Sequence, residues 1–91
     1  MPSQGERHLA ETDRHIAEAE ARVTRQKRLI ATQAAAGEDA TVSLELLEVL
    51  ERSLALSRQH RRLVLEEMRR SLRELLAQRQ VLLEGRAPAS R

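Results

Sequence analysis

Cysteine and aromatic residues are absent from this 91-residue chain, and proline and glycine are scarce, with two and three copies. The lack of cysteine excludes a disulfide scaffold, a zinc finger with cysteine ligands and thiol catalysis. No apolar run approaches the roughly 20 residues that cross a bilayer, and the N-terminus has no signal-like hydrophobic stretch. We therefore expect a cytoplasmic protein without a membrane partner.

Residues that favour helices dominate what is present. The chain holds 15 leucines and 13 alanines, whereas isoleucine and valine together number seven, and 33% of its residues are charged. Strands favour β-branched and aromatic side chains, which are rare here. A chain of this length is also below the usual size of a self-sufficient core. The composition predicts an all-α fold.

The few helix-breaking residues divide the chain into two long helical segments. Ser3 and Glu6 match a capping box, and Gly37 follows an alanine run in the manner of a left-handed helix terminus. Either Asp39 or Thr41 can cap the second segment. The pattern predicts one helical hairpin over residues 1–85, with helix one at about 4–36, a turn at 37–40, helix two at about 40–84, and a disordered tail at 86–91.

Apolar residues on both segments recur with the seven-residue period of a coiled coil. In helix one, the positions three residues after each apolar residue are small or polar, which leaves a narrow seam. A turn of about four residues forces the two helices to run antiparallel. The predicted intrachain seam of this two-helix coiled coil comprises Leu9, Ile16, Val23, Ile30, Leu46, Leu50 and Leu54.

Helix two carries more apolar surface than one partner helix can cover. Leu56 and Leu63, among others, broaden its apolar arc, and helix one has no apolar residue left to face positions beyond about 68. Self-association is the economical way to cover the rest, so we expect a homodimer whose hairpins form a four-helix bundle, parallel or antiparallel. The predicted dimer interface comprises Leu65, Met68, Leu72, Leu75, Leu76, Leu82 and Leu83.

Protein–protein contact is the function that this architecture favours. The chain offers no cysteine or tyrosine and no glycine-rich phosphate loop, and two paired helices enclose no concave pocket. We predict a non-enzymatic protein that needs no cofactor, self-associates, and acts as an adaptor or regulator on a protein partner whose identity the sequence does not give.

An arginine stripe on helix two supports an alternative function, nucleic-acid binding. Its 4-7-4 spacing places it on one face, and residues 41–91 hold ten arginines against seven glutamates. Against this, Glu66 lies within the stripe, no aromatic residue can stack on a base, and the net charge is only +2. The stripe comprises Arg58, Arg62, Arg69 and Arg73.

Three histidines raise the question of a metal site. His8 and His15 flank Glu11 on one face of helix one, and the antiparallel register brings His60 near the level of His15. Carboxylate-bridged metal sites in four-helix bundles use Glu-x-x-His motifs, which this chain lacks. We therefore expect the three histidines to flank the apolar seam and to hold no metal ion.

The first helix and the turn also resemble a group of short uncharacterised proteobacterial helical-hairpin proteins. The shared features are an H-[IV]-A-E segment at residues 15–18, a [VI]-x-R-Q segment at 23–26 and a Gly-x-Asp turn at 37–39. The resemblance spans residues 8 to about 68. It implies a bacterial helical hairpin and, because no activity is assigned to that group, no specific function.

Overall fold

Two antiparallel helices account for most of residues 1–85, the part of the chain that this computed structural model describes. Helix α1 is Gln4–Ala35 and helix α2 is Thr41–Gly85, and no strand occurs within the described residues. The antiparallel all-α hairpin predicted from the sequence is confirmed, with helix ends within about one residue of the expected positions. The predicted disordered tail lies outside the described residues.

Both ends of α1 follow the local signals in the sequence. The Ser3 hydroxyl oxygen accepts a hydrogen bond from the Glu6 N–H at 3.0 Å and so caps the first turn. At the other end Gly37 has a φ of 69°, and the Glu38 N–H donates to the Gln33 carbonyl at 2.9 Å. This is the Schellman arrangement, which glycine adopts without the strain that a Cβ would bring.

Asp39, and not Thr41, supplies the side-chain cap at the start of α2. Its Oδ1 accepts hydrogen bonds from the Thr41 hydroxyl at 2.6 Å and from the Thr41 N–H at 2.9 Å. Both bonds favour the charged carboxylate, the hydroxyl bond more strongly, and they hold the pKa of Asp39 below its usual value. The carboxylate also lies at the N-terminal end of a helix dipole, where a negative charge is favourable.

We expect Asp39→Asn to lower the melting temperature at neutral pH, because the variant keeps an acceptor but loses the charge. A pKa that is lower in the folded state stabilises the fold above the unfolded-state pKa, and this contribution is lost as the pH falls through the folded-state pKa. The melting curves of wild type and variant, followed by circular dichroism, should therefore converge as the pH falls through the folded-state pKa of Asp39. Glu38→Gln is the matched control, and an Asp39→Asn deficit that does not change with pH would contradict the assignment.

The core of the hairpin is a thin seam between the helices. Two polar residues, Thr12 and Gln26, are buried on the seam. The Thr12 hydroxyl donates a hydrogen bond to the His8 carbonyl at 2.9 Å, and the Gln26 amide donates one to the Ser43 carbonyl at 2.8 Å. Among residues 1–85, the buried apolar residues are Ala19, Val23 and Leu54, with Ile16, Leu47 and Leu50 packed against them. This core is small for a chain of this length, as the narrow seam of helix one predicts.

The prediction that Leu46 lies on the seam is wrong. Leu46 is 47% exposed and points away from α1, whereas its neighbour Leu47 packs against the core. Successive helical residues differ by about 100° around the axis, so α2 can present only one of the two to α1. Of the other predicted seam residues, Val23 and Leu54 are buried, and Leu9, Ile16, Ile30 and Leu50 are half-buried.

On α2 the residues Leu47, Leu54 and Met68 follow a seven-residue spacing, and the remaining position holds Arg61 in place of an apolar residue. An ion pair occupies this position. The Arg61 guanidinium donates to the Asp13 carboxylate across the hairpin, and both side chains remain between two-fifths and one-half exposed. A second cross-hairpin pair, Arg58 with Glu20, spans 3.1 Å. These contacts, with Gly5 against Met68, fix the register of the two helices.

Candidate interaction surfaces

Helix α2 extends far beyond the start of α1. A Cβ built on Gly5 would lie 3.3 Å from the Met68 side chain, so α1 begins at the level of Met68. Every residue from 69 to 85 is exposed. We call the large apolar side chains of this segment that belong to the predicted interface the overhang leucines; they are between 53% and 72% exposed and comprise Leu72, Leu75, Leu76, Leu82 and Leu83.

The predicted dimer interface is therefore divided by the structure. Its five leucines from residue 72 onward are free of contact with α1, but Leu65 and Met68 are half-buried within the hairpin. Met68 is covered in part by the first turn of α1, where Gly5 leaves room for the thioether side chain. Of that set, only the overhang leucines are left uncovered by α1.

The arginine stripe is accompanied by carboxylates. Arg58 forms its ion pair with Glu20 of α1. Glu66 lies beside Arg69 and Arg73 in one shallow, open groove that also includes Arg70. All four arginines of the stripe are exposed. Since acidic groups neutralise part of the stripe, its assignment to nucleic acid stays a prediction of the sequence alone.

Two of the three histidines meet across the hairpin. The Nε2 atoms of His8 and His60 are 3.1 Å apart, and the ring centroids are 5.2 Å apart at an interplanar angle of 40°. The sequence placed His60 near His15 instead; His15 lines the same open groove but is not the hydrogen-bond partner. In such a contact one ring nitrogen donates a hydrogen bond and the other accepts it, and the tautomers of the two rings determine which is which.

We expect no tight metal site at these histidines. Within residues 1–85, no group of three or more histidine, aspartate or glutamate side chains is arranged to hold a metal ion. Calorimetry with zinc, nickel or manganese at neutral pH should show no saturable event of micromolar or tighter affinity. A micromolar site that disappears in His8→Ala and His60→Ala, but persists in His15→Ala, would contradict this expectation.

A second exposed apolar row runs along α2, and the apolar spacing in the sequence does not distinguish it from the seam. We call it the α2 stripe; its members are between 47% and 77% exposed and comprise Val42, Leu46, Val49, Leu56 and Leu63. With Ser53 and His60 they follow the alternating four-three spacing of a coiled coil, one residue ahead of the positions that face α1. That offset by one residue is the signal that could have revealed it.

Comparisons with known proteins do not indicate a function for this chain. No family model, no curated protein and no solved structure matches the chain. The resemblance of residues 8–68 to short proteobacterial hairpins thus stays a prediction. Neither helix of residues 1–85 is long and apolar enough to cross a membrane.

Proposed function

We propose that this chain is a non-enzymatic helical hairpin that self-associates and acts through protein–protein contacts, as an adaptor or regulator. The observation that supports this is the row of overhang leucines, each more than half exposed beyond the reach of α1. Burying a leucine side chain is worth about 1.5–3 kcal/mol. Five half-exposed leucines therefore represent several kcal/mol, which rivals the whole stability of a small domain.

A second copy of the chain is the partner that needs the fewest assumptions. A patch that is apolar on one copy is apolar on every copy, so a two-fold axis buries both patches at once. The surrounding surface carries charges of both signs, such as the Glu67–Arg70 pair at 2.9 Å, which keep the rest of the helix hydrated. Self-association of this kind supplies a binding platform, and a platform is what an adaptor requires.

Sedimentation equilibrium of the wild-type chain over a wide range of concentrations tests the proposal. We expect a mass of at least twice the 10.3 kDa of one chain, with the helical content of the hairpin retained on circular dichroism. A fully helical monomer at every concentration would overturn the proposal, because the overhang would then be stable without a partner.

A further inference from the structure

We infer that the α2 stripe is a second self-association surface, on which another copy of the hairpin docks face to face with its turn at the opposite end. The four helices of the two copies then form a four-helix bundle, in the antiparallel orientation. This surface is distinct from the overhang leucines, so each chain has two separate self-association surfaces.

The two faces point in different directions around α2. Leu75 and Leu82 continue, in steps of seven, the positions of Leu54 and Met68, which face α1. The positions of the α2 stripe lie one residue N-terminal to those that face α1, so the stripe is rotated by about 100° around the helix axis from the face that contacts α1. A single straight helix packed on one face cannot cover the other, so the two surfaces need two neighbours.

The exposed surface of this elongated hairpin is large enough to accommodate two interfaces. The chain has an accessible surface of 7575 Å². A folded monomer of its mass is expected to have about 5,400 Å². The excess of roughly 2,000 Å² is more than the roughly 800 Å² per partner that one standard interface covers.

The composition of the face selects the orientation of the second copy. Beside the apolar α2 stripe, α1 presents a polar flank: Glu11 lines the same groove as Leu56, and Glu18 and Arg25 follow Glu11 in steps of seven. A copy with its turn at the same end would place the charged α1 flank on the apolar stripe. A copy with its turn at the opposite end places α2 on α2 and α1 on α1, so that apolar surface meets apolar surface and polar surface meets polar surface.

Charge complementarity along α1 supports the same orientation. The flank is acidic toward the N-terminus, at Glu11 and Glu18, and basic toward the turn, at Arg22 and Arg25. Two such flanks running in opposite directions place acidic groups against basic ones. None of these four residues takes part in the ion pairs found within residues 1–85, so all four side chains are free to pair with another copy.

Two pairs of substitutions, alone and combined, test the two surfaces separately. Val49→Asp with Leu56→Asp alters the stripe, and Leu72→Asp with Leu75→Asp alters the overhang. Leu44→Asp with Ala55→Asp is the matched control, since it adds two carboxylates to exposed positions of α2 that belong neither to the α2 stripe nor to the overhang. All stripe positions altered are exposed in the hairpin, so the hairpin itself should remain folded.

We expect wild type and control to sediment as an assembly larger than a dimer, and each altered pair to reduce it to a dimer. The combination should give a monomer that stays helical in the hairpin up to about Met68. A stripe variant with the mass of wild type would overturn the inference and leave the proposed function standing. A stripe variant that is monomeric, beside an overhang variant of unchanged mass, would support the stripe and overturn the overhang interface. A monomeric wild type would overturn both.

Charge reversal tests the orientation. Glu11→Arg alone and Arg25→Glu alone should each weaken association by roughly fivefold, because each places like charges together at two symmetric positions. The double variant restores opposite charges and should recover the wild-type dissociation constant. Equal loss in the double variant, with no recovery, would overturn the antiparallel orientation.

Discussion

Substitution of Leu72 and Leu75 together by aspartate is expected to separate the chains that meet through the overhang and to cost much of the helicity beyond Met68. Two ionised carboxylates in an apolar interface lose their hydration without gaining partners, which costs several kcal/mol. The overhang has no other packing in the hairpin, since residues 69–85 are all exposed. An isolated helical segment of that length is marginal in water.

Sedimentation equilibrium and circular dichroism measure the two parts of this result. The control with Leu44→Asp and Ala55→Asp carries the same added charge on the same helix and should keep the wild-type mass and helicity. An overhang variant that is as helical as wild type and of unchanged mass would show that Leu72 and Leu75 are not at an interface.

Substitution of Leu54 by alanine is expected to have the largest effect on the hairpin itself. Leu54 is the only buried residue that α2 contributes to the seam, where it packs with Ala19 and Val23. Truncating a buried leucine to alanine lowers the free energy of unfolding by about 2–5 kcal/mol, because the burial of apolar surface is lost and a cavity remains. With so few buried residues to share the loss, the melting temperature should fall by at least about 10 °C.

Thermal unfolding of Leu54→Ala beside Leu44→Ala checks this expectation at a fixed chain concentration. Leu44 is 52% exposed on the same helix, so its truncation should change the stability by no more than about 0.5 kcal/mol. Equal and small effects of the two substitutions would mean that the seam does not hold the hairpin together.

The sequence predicts one apolar surface on α2 beyond the seam, whereas the structure shows two exposed apolar rows, and the reason is geometric. The excess of apolar residues on α2 was visible in the sequence, and so was the region beyond the reach of helix one. The separation of that excess into the overhang leucines and the α2 stripe was not, because it depends on which face of α2 is taken by α1. Leu46 and Leu47 are both acceptable seam residues by composition and spacing.

Local signals in the sequence are sufficient to predict the two helices and most of their ends. Ser3 and Gly37 act through hydrogen bonds and backbone preferences within a few residues, so local chemistry is enough to place them. At the start of α2 it leaves Asp39 and Thr41 both possible as the cap, and the structure selects Asp39. The seven-residue period of helix one likewise determined that Val23 lies on the seam, because periodicity is a property of one helix.

The rotation of α2 about its axis and the register between the helices depend on contacts that form only in the folded hairpin. A turn of 100° exchanges Leu47 for Leu46, and a shift along the axis exchanges His8 for His15 as the partner of His60. These choices are made by contacts between distant residues, such as Gly5 with Met68 and Asp13 with Arg61. No signal within either helix specifies them, because each depends on the shape and charge of the other helix.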